Sequence, residues 1–252
     1  MTEEGDSLGK GSPETVDYLR KWDLRVIQAE EGFRFAVDSL ILAALADLPS
    51  RGRVMDLGSG NGVVSFIVAR RRPQVEVVGL EIQPQMVERA KRGAVLNSLA
   101  DRVSFVEGSY ADVRRLFRPE SFSYVISNPP YRERDAGRVP PNREEAIAKC
   151  EIEADLSHLV AAASYLLPTK GRFGVVFCAE RVADLFWELK RASLEPKRAV
   201  FVHPRINEEA QFVFVEAVKN AKKGQLAVEA PLIIYDEHGR YTERMRELIG
   251  VR

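Results

Sequence analysis

A short motif of polar, imino and aromatic residues follows an apolar run near the middle of the 252-residue chain. The run Tyr124-Val125-Ile126 is typical of a buried strand, and Asn128-Pro129-Pro130-Tyr131 follows it after one serine. Prolines fix φ and have no N–H, so this turn is stiff and its carbonyl oxygens can accept hydrogen bonds from another molecule. The Asn128 side chain adds a further carbonyl acceptor. The motif therefore predicts a rigid set of acceptors at the end of a strand.

Converging acceptors suit a planar amino group, such as the exocyclic amine of adenine or the amide of glutamine. Hydrogen bonds from its two N–H groups to Asn128 and to the Pro129 carbonyl favour the pyramidal, more nucleophilic nitrogen of the transition state. Tyr131 can stack on a flat substrate, a contact worth about 1 to 3 kcal/mol for a nucleic-acid base. We therefore predict that Asn128, Pro129, Pro130 and Tyr131 are catalytic residues. The alternative is a structural turn with a buried tyrosine.

The motif must be positioned by a sheet, because short β-branched runs alternate with helix-like segments along the chain. The runs cover residues 53–57, 75–81, 103–107, 124–128 and 172–177, and helices are predicted over 63–72, 84–99 and 156–167. This order predicts an α/β fold with a mostly parallel sheet and helices on both faces. The later runs 199–202 and 211–218 lack a helix-length connection, which predicts a hairpin and one antiparallel strand.

The flanking segments look appended to a single core. We expect a disordered start over residues 1–14, an N-terminal extension over 15–50, a core over 51–218 and a C-terminal tail over 219–252 that packs on the core. The extension contains a strand-like segment, 15–28, and a helix, 39–48; in the tail, Thr242 is predicted to cap a short helix.

Composition limits the possible partners and compartment. Lys plus Arg and Asp plus Glu each total 37, so a nucleic acid must be held by a local basic patch. The two cysteines and three histidines form no recognisable metal spacing, so we predict no metal and reduced thiols in a cytoplasmic protein. No apolar run is long enough to span a membrane. The oligomeric state is left open.

A glycine-rich loop follows the first core strand and precedes a helix. It reads Asp56-Leu57-Gly58-Ser59-Gly60-Asn61-Gly62, which differs from the dinucleotide pattern G-x-G-x-x-G. Asp56 would repel a pyrophosphate and favour an ammonium or sulfonium group. Glu81 ends the second strand, 19 residues after Gly62, where a carboxylate can bind both ribose hydroxyls. Together these residues predict S-adenosylmethionine; the alternative is a glycine-rich turn with an incidental acid.

This loop resembles the first motif, D-x-G-x-G-x-G, of the class I S-adenosylmethionine-dependent methyltransferases. The resemblance implies a Rossmann-like, seven-stranded sheet whose seventh strand is antiparallel. The expected cofactor-binding residues are Asp38, Asp56, Gly58, Gly60, Gly62, Glu81, Ile82, Ser109 and Asp112. Ser109 stands where the family usually has an acid that contacts the adenine, and Asp112 lies one turn later, so both remain candidates. For Asp38, a lid over the cofactor and a cap of the helix from Ser39 are equal alternatives.

The flanking segments distinguish among enzymes with an Asn-Pro-Pro-Tyr motif. The chain is similar to the bacterial tRNA(Val) adenine-N6 methyltransferase family over residues 15–248. The segments that carry the similarity are DLRVIQ at 23–28, GFRFAVDSLIL at 32–42, LLPTKGRF at 166–173, FVHP at 201–204, PLIIYD at 231–236 and YT at 241–242. The similarity implies methylation of the adenine immediately 3′ to the anticodon. The alternatives are a glutamine of a release factor and an amino group of rRNA or DNA.

A cluster of basic residues follows the motif. We predict that the substrate RNA contacts Arg132, Arg134, Arg138, Arg143 and Lys149. Such a loop could hold phosphates around a single-stranded base, and an unpaired anticodon-loop base is cheaper to extrude than a paired one. A solvated charged loop is the alternative. Lys149 precedes Glu151 where many relatives have Arg-x-Glu, and a lysine cannot make the bidentate contacts of an arginine.

Overall fold

A mixed nine-stranded sheet forms the centre of the structure, a computed structural model that describes residues 13–31, 34–129 and 156–250. Its strands are β3 Gly52–Leu57, β4 Val75–Glu81, β5 Val103–Glu107, β6 Tyr124–Ser127, β7 Arg172–Cys178, β8 Leu194–His203, β9 Phe212–Lys219, β10 Ala227–Val228 and β11 Leu232–Ile233. A separate antiparallel hairpin contains β1 Glu14–Leu19 and β2 Leu24–Ala29. The described helices are α1 Val37–Leu45, α2 Val63–Arg71, α3 Pro84–Leu96, α4 Val113–Leu116, α5 Leu156–Leu166, α6 Val182–Arg191 and α7 Glu243–Ile249.

Several predictions fall on parts of the chain outside the described residues. They are residues 1–12 of the predicted disordered start and the site residues Pro130, Tyr131, Arg132, Arg134, Arg138, Arg143 and Lys149. The predicted end of the disordered start at residue 14 was wrong, because Glu14 pairs with Ala29 as the first residue of β1.

The sheet order is β10-β8-β9-β7-β6-β3-β4-β5, with β11 also paired to β8. Within the group β3 to β7, every pair of neighbouring strands is parallel. Strand β9 is antiparallel to both β7 and β8. This confirms the prediction of a mostly parallel sheet with one antiparallel strand. The predicted seven strands correspond to β3 through β9, and the short strands β10 and β11 extend the sheet beyond β8.

Two hydrophobic clusters cover the two faces of the sheet. Successive residues of a strand point to opposite faces, so Val54 belongs to the cluster that includes residues of α1, α2 and α3, whereas Met55 belongs to the cluster that includes residues of α5 and α6. The buried Met245 and Ile249 of α7 join the first cluster. Thr242 caps α7 as predicted, since its Oγ accepts a hydrogen bond from the Met245 amide at 3.3 Å.

The observed bounds differ from the predicted ones by more than one residue in two helices and one strand, and the strand-like segment 15–28 is the hairpin β1–β2. Helix α1 runs from Val37 to Leu45 rather than over 39–48, and Pro49 disfavours the helical conformation at Leu48. Helix α3 ends at Leu96, and Ser98 has a left-handed φ of 55°. Strand β8 begins five residues before the predicted run, at Leu194; Pro196 is accommodated by a register shift between Pro196 and Arg198.

The N-terminal hairpin is fastened to α3. Glu14 of β1 binds Arg89 at 3.1 Å and Arg92 at 2.7 Å, and these arginines hold the pKa of the Glu14 carboxyl below its usual value. Asn97, just after α3, accepts a hydrogen bond from the Arg25 amide and donates one to the Arg25 carbonyl, both at 2.7 Å. The hairpin is therefore held by ion pairs and by hydrogen bonds between the Asn97 side chain and the Arg25 main chain.

None of the helices in the described ranges is long and apolar enough to cross a membrane.

Candidate active site

The site lies where three strand ends meet. Strand β3 lies between β4 and β6, and its last residue, Leu57, pairs with Leu80 on one side and Ser127 on the other. The strand order reverses at β3, because β4 and β6 lie on its opposite sides. In open α/β sheets, ligands bind outside the carboxyl ends of the strands at such a reversal. The glycine loop follows β3, Glu81 ends β4, and Asn128 follows β6, so the sheet brings the three predicted features to one edge.

Glu81 organises the glycine loop. Its carboxylate accepts hydrogen bonds from the Gly60 amide at 2.8 Å and from the Gln83 amide at 2.9 Å, and the side chain is only 7% exposed. The Gly58 and Ser59 amides donate to the Leu80 carbonyl at 2.8 and 3.0 Å. A carboxylate has about four acceptor positions, so a carboxylate that orders the loop can accept from a ligand as well.

Gly60 and Gly62 are required for different reasons. Both have left-handed backbone angles, with φ of 54° and 87°. A Cβ at Gly62 would lie 2.8 Å from the rings of Phe66 and Phe105, whereas a Cβ at Gly60 would meet no atom within 4 Å. Gly62 therefore serves packing, and Gly60 leaves room for a ligand beside the Glu81 carboxylate. This space and its acceptor fit the adenosyl part of S-adenosylmethionine.

Asp56 is an acid buried behind the loop. It is 1% exposed, and its Oδ2 accepts a hydrogen bond from the Ser65 hydroxyl at 2.6 Å. Burial raises the pKa of Asp56 to about 7; the Glu81 charge acts in the same direction and the Ser65 hydrogen bond opposes it. A nearby cation would favour the ionised carboxylate, which agrees with a sulfonium or ammonium ligand.

Ser109 and Asp112 form a capping box in the turn after β5. The Ser109 amide donates to Asp112 Oδ2 at 3.0 Å, and Ser109 Oγ accepts from the Ala111 amide at 3.2 Å. The Ser109 amide, together with Arg115, also lowers the pKa of Asp112. Both side chains thus stabilise the turn, and their contact with the cofactor adenine stays a prediction.

Tyr110, in the same turn, was missed by sequence reasoning. A Cβ at Gly58 would lie 2.6 Å from the Tyr110 hydroxyl oxygen, so this hydroxyl stands against the glycine loop. The only sequence signal was its place between the two predicted cofactor residues Ser109 and Asp112.

Asp38 and Ile82 flank the loop in the chain. Asp38 is 7% exposed, and its Oδ1 accepts a hydrogen bond from the Ser39 amide at 2.6 Å. Helix α1 begins at Val37 and its N-cap is Ala36, so the alternative that Asp38 caps a helix from Ser39 was wrong. Ile82 is half-buried directly after Glu81. The lid role of Asp38 and the cofactor contact of Ile82 stay predictions.

Asn128 is held in place by its own side chain and by the residue that precedes it. Its Nδ2 donates to the Ser39 hydroxyl oxygen of α1 at 2.9 Å. The preceding Ser127 donates from Oγ to the Leu57 carbonyl at 2.7 Å, which ties the end of β6 to the end of β3. Asn128 is half-buried and Pro129 is buried. The predicted acceptor is therefore held at the edge that carries the glycine loop.

Gln28 is a second residue that sequence reasoning missed. It is 1% exposed on β2, and its Oε1 accepts from the Phe35 amide at 2.9 Å and from Asn61 Nδ2 at 3.4 Å. Its Nε2 donates to Asp17 at 2.6 Å. One side chain thus joins the hairpin, the entry to α1 and the glycine loop.

Among the described residues, no group of three or more His, Cys, Asp and Glu is arranged to bind a metal ion.

Solved structures share this fold. The chain is similar to the crystal structure of a predicted O-methyltransferase from Agrobacterium tumefaciens, with a TM-score of 0.68, 24% identity, and coverage of 84% of this chain and 95% of that one. It is also similar to a geranyl diphosphate C-methyltransferase from Streptomyces coelicolor in complex with S-adenosyl-L-homocysteine, with a TM-score of 0.54, 13% identity, and coverage of 72% and 79%. The fold is the Rossmann-like fold of class I methyltransferases.

Sequence comparison identifies the family. The chain belongs to the methyltransferase small domain family, whose model matches residues 36–182. Two Porphyromonas gingivalis proteins named tRNA1(Val) (adenine(37)-N6)-methyltransferase are each 30% identical to this chain, over 60% and 69% of its length and 61% and 69% of theirs. A protein of the same name from Dyadobacter fermentans is 26% identical over 92% of this chain and 95% of its own. The protein is an S-adenosylmethionine-dependent methyltransferase.

The two glycines should separate cofactor binding from stability. Gly60→Ala should weaken S-adenosylmethionine binding by at least about tenfold, because its Cβ occupies the ligand space, while backbone strain costs about 1 to 2 kcal/mol of unfolding free energy. Gly62→Ala adds overlap with Phe66 and Phe105, about 1 to 3 kcal/mol more. Calorimetric titration and urea denaturation measure the two quantities.

Gly239→Ala is the matched control, since Gly239 has a φ of 75° and nothing within 4 Å of an added Cβ. It should show the backbone strain alone and normal cofactor affinity. Unchanged affinity in Gly60→Ala would contradict the placement of the cofactor beside Gly60.

Cofactor binding should depend on pH through Asp56. Because the pKa of Asp56 is raised to about 7, the free protein holds a proton there at lower pH, and a cationic ligand must displace it. Affinity should therefore rise as the pH increases toward 7 and level off above it, with at most about a tenfold change per pH unit. Titrations in buffers of different ionisation enthalpy should detect proton release in the same range.

Asp56→Asn is the control, because the amide keeps an acceptor for Ser65 and cannot titrate. Its binding curve should keep only the pH dependence that belongs to the ligand. An identical pH dependence in wild type and variant would exclude Asp56 as the titrating group.

Proposed function

We propose that the protein transfers the methyl group of S-adenosylmethionine to the exocyclic N6 of an adenine in tRNA, namely the adenine immediately 3′ to the anticodon of tRNA(Val). The observation that carries this proposal is the anchored Asn128 at the strand end beside the glycine loop. The names of the relatives support the adenine and the tRNA. A tRNA substrate also agrees with the cytoplasmic location expected from the composition.

The residues of the loop would bind and orient the cofactor. Glu81 would accept the ribose hydroxyls, Gly60 would let the backbone approach, and Asp56 would supply negative potential near the cationic end. Ile82, with Ser109 or Asp112, would contact the adenine of the cofactor, and Asp38 would cover it. The bound cofactor supplies an electrophilic methyl group on a sulfonium.

The motif residues would activate the substrate amine. The bound cofactor would supply the methyl group, and the substrate amine would be the nucleophile that the motif holds. Asn128 Oδ1 and the Pro129 carbonyl would accept hydrogen bonds from the two N–H groups and so stabilise the positive charge that grows on nitrogen. The proton displaced from the amine would pass to water after the transfer. Tyr131 would hold the adenine ring by stacking.

The RNA would be held by local positive charge, because the chain has no net charge. We propose that Arg132, Arg134, Arg138, Arg143 and Lys149 contact phosphates near the anticodon loop. The target base is unpaired there, so little stacking and pairing energy opposes its entry into the site.

The labelling experiment described below can also identify a different class of methyl acceptor. Glutamine amides and the amino groups of rRNA or DNA present the same paired N–H groups to Asn128. The names of the relatives favour an RNA substrate over a release factor.

The substrate class can be measured directly. Purified protein and methyl-labelled S-adenosylmethionine, supplied with separate tRNA, rRNA, DNA and protein fractions, should label tRNA, and nucleoside mass spectrometry should identify N6-methyladenosine. A tRNA(Val) transcript with guanine in place of the target adenine is the matched control and should take no label. Label confined to protein, rRNA or DNA would reject the tRNA proposal.

Asn128→Ala should separate turnover from cofactor binding. Loss of a preorganised acceptor should lower kcat by about 10² to 10³, and the Kd for S-adenosylmethionine should stay within about twofold. Single-turnover methyl transfer and equilibrium titration measure these quantities. Asn220→Gly is a matched loss of an amide at an exposed asparagine with a φ of 55°, and it should leave both unchanged. Near-normal kcat in Asn128→Ala would refute the assigned role.

A further inference from the structure

The first turn of α1 reaches the proposed catalytic motif across 89 positions of sequence, through the hydrogen bond from Asn128 Nδ2 to Ser39 Oγ at 2.9 Å. Ser39 is buried, with 5% of its surface exposed, and Asn128 is half-buried, so the contact is partly shielded from competing water. We propose that Ser39 is a positioning residue that sets the orientation of the Asn128 amide and thereby presents Oδ1 to the substrate amine. The proposal rests on the methyl-transfer function proposed above.

The orientation matters because the two ends of an asparagine amide are nearly equal in size and opposite in function. The amide torsion is broad and roughly two-fold, so sterics alone do not distinguish Oδ1 from Nδ2. In the flipped orientation, N–H groups of Asn128 would face N–H groups of the substrate. The structure has the productive orientation, in which Nδ2 donates to the Ser39 hydroxyl oxygen; because a hydroxyl can also donate, Ser39 stabilises this orientation rather than excluding the other.

Ser39 is itself held in place by its neighbours. Its backbone amide donates to Asp38 Oδ1 at 2.6 Å and to the Ala36 carbonyl at 3.2 Å. Just before the helix, the Phe35 amide donates to Gln28 Oε1 at 2.9 Å, which fixes the entry to α1 against β2. The hydroxyl therefore projects from a turn whose position is determined by the N-terminal hairpin, and this gives the extension a role in the chemistry.

The inference predicts a specific kinetic pattern. Ser39→Ala should lower kcat by about tenfold, the loss expected from one hydrogen bond, and leave the Kd for S-adenosylmethionine within about twofold. Ser39→Thr keeps the hydroxyl and should retain most of kcat. Ser164→Ala is the matched control, because it removes a part-buried hydroxyl that donates to the Ala192 carbonyl at 2.7 Å, away from the motif. It should leave kcat unchanged.

A double-mutant cycle tests whether Ser39 acts through Asn128. If it does, Ser39→Ala combined with Asn128→Ala should be no slower than Asn128→Ala alone, because the orienting contact has nothing left to orient. Multiplying effects in the double variant, or a kcat of Ser39→Ala within twofold of wild type, would overturn the proposal. A loss of affinity for S-adenosylmethionine as large as the loss of kcat in Ser39→Ala would also overturn it.

A readout independent of the substrate separates this inference from the proposed function. In ¹⁵N-labelled protein, the side-chain amide signal of Asn128, assigned by its loss in Asn128→Ala, should exchange slowly with water in wild type and faster in Ser39→Ala. If tRNA takes no label, the proposed function fails while this signal still decides the contact, and the kinetic cycle is run with whichever fraction is methylated. Unchanged exchange in Ser39→Ala would reject the orienting contact.

Discussion

The position of β3 between two parallel neighbours is the constraint on which the rest of the site depends. Its last residue, Leu57, is in register with Leu80 of β4 and with Ser127 of β6. A one-residue slip in either pairing would turn the side chains of that strand to the opposite face and move Glu81 or Asn128 away from the glycine loop. The hydrogen bond from Ser127 Oγ to the Leu57 carbonyl, at 2.7 Å, opposes such a slip where it would be most damaging.

The same strand ends concentrate negative charge in an apolar surrounding. Asp56 and Glu81 are 1% and 7% exposed, and burying two carboxylates together is unfavourable unless hydrogen bonds or a cation offset it. Glu81 receives two backbone amides, and Asp56, which receives the Ser65 hydroxyl, has a pKa raised to about 7 by its burial. Asp56 is the acid expected near the cationic end of the cofactor, and a cation there would offset its burial.

The sequence predicted what depends on local patterns and missed what depends on distant contacts. Strands β4 and β5 were predicted with their observed bounds because β-branched runs end at clear turns, and the Asn-Pro-Pro-Tyr and glycine motifs could be placed because each follows such a strand. The start of β8 was missed, since Pro196 and the charged residues beside it hide a strand that survives through an irregular register. Ser39 and Gln28 have no local signal at all, because their partners lie in other elements.

These distant contacts change how the N-terminal extension is understood. By sequence it is an appendage to the core, yet Gln28 joins the entry of α1 to Asn61 of the glycine loop, and Ser39 at the start of α1 joins Asn128. The hairpin that carries Gln28 is in turn held on α3, the helix that follows Glu81. The glycine loop and Asn128 therefore share one support outside the sheet. Both are connected by hydrogen bonds to α1 or to the residues just before it. A displacement of that helix would therefore alter the distance between methyl donor and amine, even with the residues of both motifs unchanged.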